Sequence, residues 1–177
     1  MTAAVSAFST GEATPRLLAE LWAMCVRAFE GDFDPEDWEH ALGGRHFVAY
    51  EGDRPVAHAA VVERMLRIGD RPVRAGYVEA VATEPEYQGS GQGTAVMTWA
   101  GDWIRAEFQL GVLATGEFHF YERLGWERWL GPTFVIDGQQ LLRSPDADDA
   151  IMALRVGSGT LDLMLPIACE SRPGDDW

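Results

Sequence analysis

The chain of 177 residues reads as an α/β fold of the mixed kind (α+β), a mostly antiparallel sheet flanked by helices in a single domain spanning 1–177. Three observations predict it. Apolar runs at 46–51, 56–68 and 71–83 are joined by a Gly-Asp-Arg-Pro turn and by Gly69-Asp70, which makes an antiparallel meander. A glycine-rich turn at 88–93 opens an amphipathic helix. A short apolar strand at 111–114 follows that helix, so strand–loop–helix–strand implies a right-handed crossover and some parallel pairing.

In chain order, a first strand is expected near 5–8. Thr14-Pro15 then offers a helix cap and a first-turn proline. Leu17, Leu21, Trp22, Cys25 and Phe29 recur at helical spacing, and Gly31 ends the helix. Cys25 lies on that stripe and reads as packing. Asp34-Pro35 starts a second helix that Gly43-Gly44 stops. After the meander, Val96, Trp99, Ala100, Trp103 and Phe108 line one side of the third helix. A fourth helix is expected at 117–124, ended by Gly125. Further strands are expected at 126–130, 133–136, 151–154 and 161–165, with an acidic loop at 144–149.

Fourteen basic against twenty-eight acidic residues leave a net charge of −14, which disfavours a nucleic-acid partner and permits a cationic one. No run of eighteen apolar residues occurs, and the N-terminus does not read as a secretion signal, so a cytoplasmic protein is expected. Two distant cysteines suggest neither a disulfide framework nor a metal knuckle. His40, His46, His58 and His119 show no metal-ligand spacing and are read as structural; no metal is expected.

Gln88, Gly89, Ser90, Gly91, Gln92 and Gly93 fit the pattern Gln/Arg-x-x-Gly-x-Gly/Ala. Successive backbone N–H groups beside a helix N-terminus favour an anion, so a phosphate-bearing cofactor is the candidate ligand. There is no Gly-Lys-Ser/Thr of a nucleotide-hydrolysing loop, and the glycine spacing is not that of a dinucleotide fold. A plain glycine turn before a helix remains the other reading of these six residues.

The order of elements around this loop resembles the GNAT superfamily of acetyl-CoA-dependent N-acetyltransferases. Closer still are Ala28-Phe29-Glu30-Gly31-Asp32-Phe33, Asp37-Trp38-Glu39-His40, Ala57-His58-Ala59-Ala60-Val61, Gly76-Tyr77-Val78-Glu79 and Gly174-Asp175-Asp176-Trp177. Together they resemble the aminoglycoside 2′-N-acetyltransferases across nearly the whole chain. The resemblance implies the GNAT acyltransferase fold, acetyl-CoA as cosubstrate, an aminoglycoside as substrate and a homodimer.

It also implies roles. Glu79 would be the base, acting through water, and Tyr121 the proton donor to the leaving thiolate. Val81 would supply an oxyanion N–H, and Val81, Ala82 and Thr83 would pair with the pantetheine arm. The residues from Gln88 to Thr94 would cradle the pyrophosphate. Asp32, Asp37, Glu79, Asp148, Asp175 and the α-carboxylate of Trp177 would form the substrate wall. Each has a plainer reading: Glu79 on a solvent face of its strand, Tyr121 as packing, Asp37 in a helix's first turn, Asp148 in a solvated loop, Asp175 and Trp177 in a frayed tail. One departure concerns Ala114, which stands where the family has a substrate-contacting serine. Other readings are acetylation of a different amine (a kasugamycin-like amino sugar, a polyamine, a peptide) or a non-catalytic acyl-CoA sensor.

Overall fold

The structure, a computed structural model, describes residues 4–177. They separate into two compact units, one running to Val62 and resuming from Val78 to Asp102, the other holding Glu63–Tyr77 and Trp103–Trp177.

The first unit contains β1 (Val5–Ser9), α1 (Pro15–Ala28), α2 (Pro35–Ala41), β2 (Arg45–Glu51), the first part of β3 (Arg54–Ile68), the last part of β4 (Arg71–Thr83) and most of α3 (Gln92–Glu107). β2 pairs antiparallel with both β1 and β3, placing Phe8 opposite His46 and Val48 opposite His58. Thr14 caps α1 by accepting the Leu17 N–H at 3.2 Å, and Pro15 occupies its first turn, where an N–H would have no partner. The α1 stripe buries Leu21, Met24 and Cys25. Leu21 and Met24 pack with Val48, and Phe8, Leu17, Trp38 and Tyr50 lie against them. Burial pushes the Cys25 thiol up to about 12, so it stays a neutral packing group. A reciprocal cap starts α2: the Asp34 carboxylate accepts the Glu36 and Asp37 N–H groups, and Asp37 accepts the Asp34 N–H at 2.9 Å.

The second unit holds the remaining parts of β3, β4 and α3, then β5 (Leu110–Ala114), α4 (Phe118–Glu122), β6 (Glu127–Arg128), β7 (Thr133–Asp137), β8 (Gln140–Arg143), β9 (Ile151–Arg155) and β10 (Ile167–Glu170). Its strand order is β6-β9-β5-β4-β3-β10-β7-β8. β4 and β5 are parallel, with Ala75 opposite Leu110 and Tyr77 opposite Val112, the pairing the crossover requires. Gly76 lets the end of α3 seat on this pair, because a Cβ there would lie 2.8 Å from the Phe108 ring and 2.9 Å from Ile104.

The structure departs from the sequence expectations in five places. Residues 161–165 form no strand; Leu163 instead accepts the Leu130 and Gly131 N–H groups, and the last strand is β10. β8 was unforeseen because all four of its residues are exposed, so it carries no burial alternation. The expected strand at 126–130 contracts to Glu127–Arg128, and the expected helix at 117–124 to Phe118–Glu122. On α3, Val96, Met97, Ala100 and Ile104 are buried while Trp99 stays 50% exposed, so the apolar face is centred one row away from Trp99.

Candidate active site

The first unit carries the strand, the loop and two acids. The β4–β5 ladder ends at Tyr77, leaving residues 78–83 of β4 beyond it. Glu79 stands in this segment, half-buried. Ala80 follows in the left-handed region at φ 51°, a conformation that costs a non-glycine residue about 1–2 kcal/mol. A left-handed residue kinks a strand and breaks its strict alternation, so the directions of Glu79 and Val81 depend on that kink. The Ala80 carbonyl accepts a hydrogen bond from His58 Nδ1 at 2.7 Å.

The exit of β4 is clamped. Glu84, 1% exposed, accepts hydrogen bonds from Arg27 at 2.5 and 3.2 Å and lies 3.2 Å from Arg54, and its N–H bonds Val56 O. The Arg27 guanidinium holds the Glu84 carboxyl below the usual carboxylate range. A 3₁₀ turn at Pro85–Tyr87 leads into the glycine loop. There Gly89 and Gly91 adopt φ of 75° and 91°, and a Cβ at either would meet nothing within 4 Å. The loop surface is therefore open, and the first-turn N–H groups of α3, at Gln92, Gly93 and Thr94, lack intrahelical acceptors. Such a cradle fits a diphosphate. Asp32 is exposed behind α1; Asp37 is half-buried in α2, with one carboxylate oxygen engaged by the Asp34 N–H.

The second unit carries Tyr121, Asp148, Asp175 and Trp177. Tyr121, 7% exposed, packs edge-on to Phe120 and Trp126. Burial, followed by the charge of Glu117, pushes its phenol up to about 12, so it holds its proton. The C-terminal segment is pinned. Arg64 donates to Asp176 O at 2.7 Å, Arg172 Nε to Asp175 O at 2.7 Å, and the Trp177 indole to Ser144 Oγ at 3.0 Å. The guanidiniums of Arg64 and Arg172 lie 4.8 and 5.6 Å from the Tyr77 ring centroid. Asp175 is thus an exposed acid on a fixed backbone.

Asp148 is placed differently from the substrate wall expected of it. Its Oδ1 accepts the Thr133 N–H at 2.8 Å, the Thr133 hydroxyl at 2.9 Å and Arg143 Nη1 at 2.8 Å, and its Oδ2 accepts Arg143 Nη2 at 2.6 Å. Both oxygens are engaged inside the β7–β8 corner. The Arg143 guanidinium, with the Thr133 donors, holds this carboxyl well below the usual carboxylate range.

The sequence assigned His46 and His58 structural roles and gave no sign that they pair. They sit on neighbouring antiparallel strands, and their side chains meet: His46 Nδ1 lies 2.8 Å from His58 Nε2. No turn offset gave this away: the register set at the turn, Glu51 opposite Arg54, would put the two histidines on opposite faces, and the bulge between Ala49 and Tyr50 brings them onto the same one. Among the described residues no group of three His, Cys, Asp or Glu is placed to hold a metal. No described helix is long and apolar enough to cross a membrane.

A glycine cradle at the mouth of a helix, fed by a kinked strand that carries an acid, defines an acyltransferase of the GNAT class. Residues 12–129 match the family model described as an acetyltransferase (GNAT) domain, and the chain belongs to that family. Within it the chain belongs with the aminoglycoside 2′-N-acetyltransferases: a protein of Mycolicibacterium fortuitum bearing that name is 42% identical over 160 residues, 87% of this chain and 82% of that protein. The fold is shared with a GNAT family N-acetyltransferase (YhbS) of Escherichia coli solved with CoA, at TM-score 0.67 and 16% identity, covering 96% of this chain and 90% of that one. A GCN5-related N-acetyltransferase from Kribbella flavida matches at TM-score 0.60 and 24% identity over 74% of this chain, which spans 34% of the Kribbella chain.

Proposed function

We propose that this enzyme transfers an acetyl group from acetyl-CoA to the 2′-amine of an aminoglycoside, and so inactivates the antibiotic. The observation that carries the reading is Glu79, an acid held beside the Ala80 kink on the strand that runs into the open glycine loop. The name of the Mycolicibacterium fortuitum relative supports the choice of substrate.

Acetyl-CoA would supply the acetyl group as a thioester, its diphosphate cradled by the loop from Gln88 to Thr94 on the N–H groups of Gln92, Gly93 and Thr94, and its pantetheine arm running along Val81, Ala82 and Thr83. An amine attacks only when unprotonated, so Glu79 would take its proton through water. The Val81 N–H would meet the negative charge that develops on the carbonyl oxygen. Tyr121, which keeps its proton up to about 12, would protonate or hydrogen-bond the departing sulfur. Asp32, Asp37, Asp175 and Trp177 would bind the polycation, in keeping with a net charge of −14. Asp148, with both oxygens engaged, would act on the substrate only through the C-terminal segment it supports.

The test is thiol release with an aminoglycoside panel, with mass spectrometry locating the acetyl group. Acetylation at the 2′-amine is expected, and Glu79→Gln should lower kcat by about 10²–10⁴-fold with little change in KM. No turnover with any member would refute the substrate assignment.

A further inference from the structure

We propose that Thr10, His46 and His58 form a positioning chain that holds the Ala80 carbonyl, and through the Ala80 kink sets Glu79 and the Val81 N–H for acetyl transfer. The proposal rests on the reading of Glu79 as the base.

The chain has one consistent direction. Ala80 O can only accept, so His58 Nδ1 carries the proton of the 2.7 Å bond. Neutral His58 then accepts at Nε2, so His46 Nδ1 is the donor across 2.8 Å. His46 Nε2 accepts in turn from the Thr10 hydroxyl at 2.7 Å, and Thr10 Oγ1 accepts the Gly43 N–H at 2.9 Å. Both imidazoles are fully buried, and burial lowers them to about 4 and about 3, which keeps them neutral as this direction requires. The chain ends on a carbonyl oxygen, which passes no proton onward. It is therefore a brace and not a proton wire.

Ala80 is where a brace is needed. A non-glycine residue in the left-handed region persists only where its surroundings over-determine it. The same imidazoles also seat α2: Trp38 lies 5.8 Å from the His58 ring and 6.2 Å from the His46 ring, and Asp37 precedes it. Phe8 stacks on His46 at 5.6 Å and closes the other side. One buried network thus sets both the strand that bears the base and the helix that bears a substrate acid.

The discriminating variants are His58→Asn and His58→Gln. The Asn amide nitrogen replaces Nδ1–H and still donates to Ala80 O. Gln better matches histidine in length and accepts from His46, but places no donor at that carbonyl. Because small misplacements of a reacting group cost up to about 100-fold, His58→Gln should lower kcat at least about 10-fold, with both KM values nearly unchanged. His58→Asn should retain most of kcat. Ala80→Gly in the His58→Gln background should restore part of it, since glycine takes the positive φ unaided. Losses in both variants that simply follow their melting temperatures, with no recovery from Ala80→Gly, would reduce the histidines to packing and overturn the proposal. Nitrogen-15 NMR of the unsubstituted protein should show both rings as Nδ1–H tautomers; an Nε2–H tautomer at His58 overturns it whatever the kinetics. A protein that acetylates no aminoglycoside sinks the substrate reading, while the tautomers still decide whether Ala80 is held.

Discussion

Replacing Asp148 with alanine separates support from substrate contact. Thr133 is fully buried, and its N–H points at Asp148 Oδ1 over 2.8 Å. Without the carboxylate that N–H has no acceptor, and an unsatisfied buried donor costs about 1–3 kcal/mol. For a chain of this size each kcal/mol moves the melting temperature by about 2–4 °C, so a fall of about 4–8 °C is expected from a loss near the middle of that range. The effect should spread to the C-terminal segment, because Ser144, which receives the Trp177 indole, is hydrogen-bonded to Thr133. Thermal melts and steady-state kinetics on an aminoglycoside make the assay.

The pH dependence has a definite sign. Arg143 and Thr133 depress the folded-state pKa of Asp148, so its contribution is fully present above the unfolded carboxylate value of about 3.9. It is lost as pH falls through the lower folded value. The gap between the native protein and Asp148→Ala should therefore be constant near neutrality and close only in strong acid. An unchanged melting temperature with a tenfold rise in the antibiotic's KM would refute this reasoning and return Asp148 to the substrate wall.

Two further outcomes are expected. Tyr121→Phe keeps the ring packing and should lower kcat by about 100-fold without moving the pH profile between 6 and 10, since this phenol titrates near 12; an alkaline limb that vanishes in the variant would contradict the assignment. Gly91→Ala strains a residue at φ 91° and should weaken CoA binding by about tenfold in calorimetry, roughly 1.4 kcal/mol. Gly11→Ala, whose Cβ meets nothing within 4 Å, serves as the control; equal affinity in both would count against the cradle.

Local signals carried much of the fold and of the candidate site. The Thr14-Pro15 and Asp34-Pro35 caps, the meander turns and the glycine loop are written in neighbouring residues, and each appears where the spacing puts it. Elements without such signals were missed or stretched. β8 has no buried face, β10 lay just beyond an apolar run that proved to be loop, and Trp99 tops a helix row that faces outward.

The amino-acid sequence by itself determined the acyltransferase class, because the glycine loop and the order of elements around it depend on residue type and short-range order, and it pointed to Glu79 and Tyr121 only through the family resemblance. Tertiary structure alone decided what the other polar groups do. Asp148, expected in the substrate wall, is closed on by Arg143 and Thr133, and the terminal Gly-Asp-Asp-Trp, whose plainer reading was a frayed tail, is fixed by Arg64, Arg172 and Ser144. His46 and His58 are two separate structural residues until antiparallel pairing sets them 2.8 Å apart and turns the inner one onto the Ala80 carbonyl. The physical reason is common to all three. A polar side chain's role is set by whichever partner satisfies it after burial, and that partner lies far away in the chain.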